Sequence, residues 1–144
     1  MKRTLNVLKL WIVAAVAASA LSGTASAQSL VKGSFTLPYE VHFGKAVLAP
    51  GSYTITMDSG RGPATIRTST GAGRALVMAL AVDRARVDLP TALLISQRES
   101  QRVVRSFNWR EGDAAFVYEP FTEAERRLGK IDDSVAVPIL MAQK

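Results

Sequence analysis

Apolar and polar residues alternate along most of this chain with a period of two. That spacing turns one face of a β-strand toward a core and the other toward water. In the clearest run, Phe35, Leu37, Tyr39, Val41 and Phe43 share one face, and Ser34, Thr36, Pro38, Glu40 and His42 share the other. Pro38 has no N–H to donate to a ladder, so this strand is expected to lie at a sheet edge or to be interrupted there. After a turn at Pro50 and Gly51, Tyr53, Ile55 and Met57 alternate with Ser52, Thr54, Thr56 and Asp58. Glycines and Pro63 turn the chain again, and Ala64 and Ile66 point inward while Thr65 and Arg67 point out.

Residues 75–82 are apolar at both parities, which predicts a central strand with Leu76, Met78, Leu80 and Val82 toward the core and the alanines and Val77 behind them. Residues 92–98 and 102–109 read as a hairpin turning at Glu99, Ser100 and Gln101, with Val103, Arg105, Phe107 and Trp109 on one face. Glu111 and Gly112 turn into a strand over 114–118. Thr122 precedes Glu125 by three residues, the spacing of a capping box, and Gly129 suits a helix end, so 123–128 is expected to be a short helix. Val135, Val137, Ile139 and Met141 alternate as a last strand, with Pro138 again marking an edge. The sum is an all-β domain, an antiparallel β-sandwich or flattened barrel of about eight short strands with one short C-terminal helix.

The first residues follow a different pattern. Lys2, Arg3 and Lys9 precede an apolar stretch over 10–21, and Ala25, Ser26 and Ala27 provide small residues at a cleavage position. This is the layout of a secretory signal peptide over 1–27, leaving a single β-rich domain over 28–144. The apolar stretch is too short for a bilayer, which needs about 20 such residues, so no membrane span is expected after signal removal. The reading places the protein in the periplasm or outside the cell. Without the signal, 15 basic and 12 acidic residues remain, a net charge of +3. Eleven of the basic residues are arginines, an excess compatible with acidic partners and too small to argue for nucleic acid.

Phe35 and Pro38, then Gly44, then Leu48, Gly51, Tyr53 and Ile55 form an F-x-x-P … L-x-x-G-x-Y-x-I pattern. With it, the chain resembles a group of small exported bacterial β-rich proteins of unknown function. The order of elements over 93–118 and the acidic–basic helix near Thr122 are similar too, whereas residues 135–141 extend past that group's pattern. The resemblance implies a fold, and its motifs are turn and core residues that carry no functional assignment.

Chemistry is sparse. The chain has no cysteine, which excludes thiol catalysis and thiolate metal sites, and His42 is its only histidine. Glu40 shares a strand face with His42, but at about 7 Å it lies near the limit of direct bonding, and no nucleophile elbow is present. Gly60, Gly62, Gly71 and Gly73 lack the lysine and hydroxyl of a phosphate loop, and no metal or cofactor motif stands out. The sharpest feature is the group Arg98, Arg102, Arg105 and Arg110 on the hairpin beside Trp109 and Tyr118, planar donors next to aromatics of the kind that bind acidic glycans. The expectation is an exported, non-enzymatic binding or structural module, with an acidic glycan or a cell-envelope protein as partner and with sheet edges open to strand addition. The alternative is a small carbohydrate-active or other hydrolase, which would need two surface carboxylates from Glu99, Glu111, Asp113, Glu119, Glu123, Asp132 and Asp133 to converge in a cleft about 5 to 9.5 Å apart.

Overall fold

A computed structural model describes residues 29–143, so the expected signal peptide lies outside the described residues. Two antiparallel sheets face each other across one core, the sandwich the alternation predicts. In chain order the strands are β1 Val31–Leu37, β2 Val41–Phe43, β3 Ala46–Leu48, β4 Gly51–Met57, β5 Ala64–Thr68, β6 Arg74–Val77, β7 Ala81–Asp83, β8 Ala92–Arg98, β9 Gln101–Trp109 and β10 Ala114–Val117. The helix α1 Glu123–Arg127 and the strands β11 Val135–Pro138 and β12 Leu140–Met141 follow. The first sheet runs β12-β1-β4-β5-β6 and the second β11-β8-β9-β10-β7. A short β2–β3 hairpin joins the second sheet where His42 of β2 bridges Val103 of β9 in parallel.

Three of the predicted strands are each divided between the two sheets. The run 35–43 leaves the first sheet after Leu37 and enters the second at Val41. Pro38 cannot donate, so the ladder stops there and the chain crosses. Phe35, Leu37, Val41 and Phe43 all remain buried because both sheets face the same core, which preserves the alternation through the corner. Pro138 does the same near the C-terminus. β11 pairs with β8, β12 pairs with β1, and at the corner between them the Ile139 N–H donates to the Thr91 carbonyl at 3.0 Å.

The third crossing reverses the expected faces. β6 pairs with β5 in the register Ala64↔Val77 and Thr65↔Leu76. Ala64 and Ile66 are the core residues of β5, so Val77 points inward with Ala75 and Ala79 packed nearby, and Leu76 points out. Leu76, Met78, Leu80 and Val82 are 56%, 56%, 72% and 52% exposed. Small side chains are what this corner admits: a Cβ on Gly44 would already come within 2.8 Å of Val77.

A register shift shapes the second sheet. Leu94 pairs with Ser106 while Ile95 pairs with Val104, so β9 carries an extra residue at Arg105. Phe107 and Val104 therefore both face the core, whereas Val103 and Arg105 turn to the outer side with Ser96. The single face expected for Val103, Arg105, Phe107 and Trp109 is broken by this bulge.

Candidate functional site

The structure disperses the hairpin arginines. Arg105 is 2% exposed yet lies outside the sandwich interior, roofed by residues 118–125. Its guanidinium donates to Ser96 Oγ at 2.5 Å, to the Pro120 carbonyl at 3.3 Å and to Glu125 Oε1 at 2.6 Å, and it stacks over Phe121 at 4.3 Å. Its backbone carbonyl accepts from the Tyr118 and Glu119 N–H groups. Every donor group of this side chain has an internal partner, so Arg105 is a clamp that fastens the helix segment to β9. Arg98 pairs with Glu119. Arg102 lies over the Tyr39 ring at 4.1 Å, and Arg110 sits at the opposite end of β9. Eight residues of strand separate Arg102 from Arg110, about 26 Å, too far for one small site.

Of the two aromatics, Tyr118 is committed to the core and Trp109 is partly buried against it. Tyr118 is buried edge-on to Phe43, its hydroxyl has no partner among the described residues, and burial pushes its pKa far above the ordinary tyrosine value. Trp109 packs on the turn after β9, where a Cβ on Gly112 would come within 2.2 Å of the indole. A groove of about 810 Å³ runs past Trp109 between Lys32, Glu111 and Met141, and Glu111 is its only carboxylate among the described residues. Glu111 accepts a hydrogen bond from Thr91, which in turn accepts from the Arg110 N–H. Among the described residues no three acids and histidines gather as metal ligands, and no helix is long and apolar enough to cross a membrane.

What the structure does bring together is an open edge. β6 ends the first sheet and β7 ends the second, and residues 74–83 carry the chain from one to the other. β7 pairs only with β10, and all three of its residues are exposed. Leu80 is held there by its N–H donating to the Val117 carbonyl at 2.7 Å. The large side chains at 76, 78, 80 and 82 are all exposed along this segment. Val47 of β3, 54% exposed, lies across a groove of about 380 Å³ from Arg74 and Ala75. Sequence reasoning placed these residues in the core. The run is apolar at both parities, and the signal that distinguishes them is size: alanine and valine at 75, 77 and 79 fit a tight corner that leucine and methionine do not.

The outer face of the first sheet was also overlooked as a unit. It presents Lys32, Ser34 and Thr36 from β1, Ser52, Thr54 and Thr56 from β4, and Thr65 and Arg67 from β5. All of these except Lys32 were legible as outward residues, but the pairing that assembles them into one surface was not.

No family model, curated protein or solved structure matches this chain.

Proposed function

We propose that this protein is an exported, non-enzymatic binding module that recruits another polypeptide at its β6–β7 edge. The observation that carries the reading is the exposure of Leu76, Met78, Leu80 and Val82 along the segment that ends in β7, whose outer edge has no partner strand among the described residues. Large apolar side chains standing over unpaired backbone are an aggregation hazard that proteins ordinarily suppress with charge or cover. An extended partner segment removes the hazard: its backbone pairs with β7, and its alternate side chains pack on the stripe. The signal-like pattern of residues 1–27 supports delivery to the periplasm or cell surface, where a cell-envelope protein would supply that segment.

The test compares the purified protein with Leu80→Lys and Met78→Lys variants in pull-downs from its own cell envelope. Both sites are exposed, so both variants should keep the parent's thermal unfolding. A specific partner retained by the parent and lost by both variants is expected, with slowed amide exchange over 81–83 in the complex. Undiminished retention by the variants would refute the edge as the contact.

A further inference from the structure

We infer that the outer face of the first sheet, which meets the edge just described at Leu76, is a binding surface for an acidic polysaccharide. The strands β1, β4, β5, β6 and β12 contain no aspartate or glutamate. Register assembles their outward residues into rows. One runs Lys32, Thr56, Thr65, Leu76, and the next runs Ser34, Thr54, Arg67, Arg74. At strand spacing these rows span about 14 Å from β1 to β6. Thr36 and Ser52 extend the surface, their hydroxyls 3.2 Å apart.

Two observations point to an anionic ligand. Arg67 and Arg74 stand directly opposite each other on neighbouring strands, an arrangement of like charges that weakens a sheet. Among the described residues neither they nor Lys32 has a carboxylate within ion-pair distance, a property they share with Arg61, Arg102, Arg110 and Arg126, whereas Arg84, Arg86, Arg98, Arg105 and Arg127 are each paired. What sets Arg67 and Arg74 apart is that they also face each other. Residues 29–80 carry five basic and two acidic residues, so the surplus of positive charge lies in the part of the chain that builds this sheet. A carboxylate or sulfate seated between Arg67 and Arg74 would relieve their repulsion through bidentate hydrogen bonds. The surrounding serine and threonine hydroxyls both donate and accept, which suits the hydroxyls of a sugar chain. An extended sheet face of this kind favours a polymer lying across it over a small molecule, which is ordinarily held in an enclosed site.

The experiment measures retention of the purified protein on immobilised polygalacturonate and on heparin, against neutral dextran and duplex DNA. Salt-sensitive retention on the acidic polysaccharides and none on dextran is expected. Arg67→Gln and Arg74→Gln should each lower the affinity about tenfold. Thr54→Val should weaken it too, which simple ion exchange would not produce. Arg102→Gln and Arg110→Gln, outside this face, should leave it unchanged. No retention at low salt, equal losses from the Arg102 and Arg110 variants, or tighter retention on DNA than on polygalacturonate would each overturn the proposal.

Discussion

Arg105 and Glu125 show how far a side chain's role depends on its surroundings. An arginine on a strand beside aromatics reads as a ligand-binding group, and the bulge at Leu94/Ile95 turns it into an internal brace. Alternation cannot reveal a bulge, because one inserted residue exchanges the two faces of everything beyond it. Glu125 is itself a two-way link. The Thr122 N–H donates to it at 2.9 Å within the capping box, and Arg105 donates from β9. Glu125→Gln leaves Arg105 buried without its closest counter-charge and should cost about 3 kcal/mol in chemical denaturation. The Thr122 N–H and then Arg105 hold the Glu125 carboxyl down to about 2 from an ordinary 4.5. Its folded pKa lies below its unfolded one, so its contribution is complete above about pH 4.5 and is lost as pH falls through about 2. Urea midpoints followed across that window should fall steeply in the parent and less steeply in Glu125→Gln. Tyr118 predicts the opposite kind of result. Its buried hydroxyl lacks a partner, so Tyr118→Phe should leave the melting temperature unchanged or raise it.

Among the elements, those with a local signature were the most legible. The Thr122–Glu125 capping box marks α1, and both halves of its reciprocal bonding are present. β4 and the 34–37 part of β1 follow the alternation residue by residue, with buried and outward positions as expected. Pro38 announced an edge or an interruption and Pro138 an edge, but not that the chain crosses between sheets at each, because a missing donor says where a ladder stops and nothing about where the chain goes next. The run 75–82 is the element that sequence alone misread, since an apolar residue at every position fits either face. The structure makes a sharp prediction there. Val77→Ala should destabilise the fold by about 2 kcal/mol by opening a cavity at the corner, whereas Leu80→Thr should change stability by less than about 0.5 kcal/mol. If Val77 and Leu80 exchanged these values, the orientation of β6 and β7 would be wrong. Gly112→Ala, which drives a methyl into the Trp109 ring, should cost about 1–3 kcal/mol by the same unfolding measurement.

At the scale of the whole molecule, one core holds two sheets together, and the chain passes between them four times, three of them within a predicted strand and one at the Pro50–Gly51 turn. That economy leaves two kinds of surface with no internal partner: the apolar edge at β6–β7 and the acid-free outer face of the first sheet. The charge is uneven in the same sense, with ten of the twelve acids in residues 81–143. The all-β sandwich was legible because period-two alternation is a property of each strand by itself. The two surfaces were not, because they arise from which strands neighbour one another, and pairing is set by contacts distant in sequence.

The central claim is that residues 74–83 form an outward-facing contact edge, and photo-cross-linking in living cells tests it most directly. A photoreactive side chain placed at Leu76 or Leu80 should yield a discrete adduct with an envelope protein, while the same group at Ser100, on the exposed turn of the β8–β9 hairpin, should yield none. The absence of any adduct from both edge positions, or equal labelling from Ser100, would contradict the account.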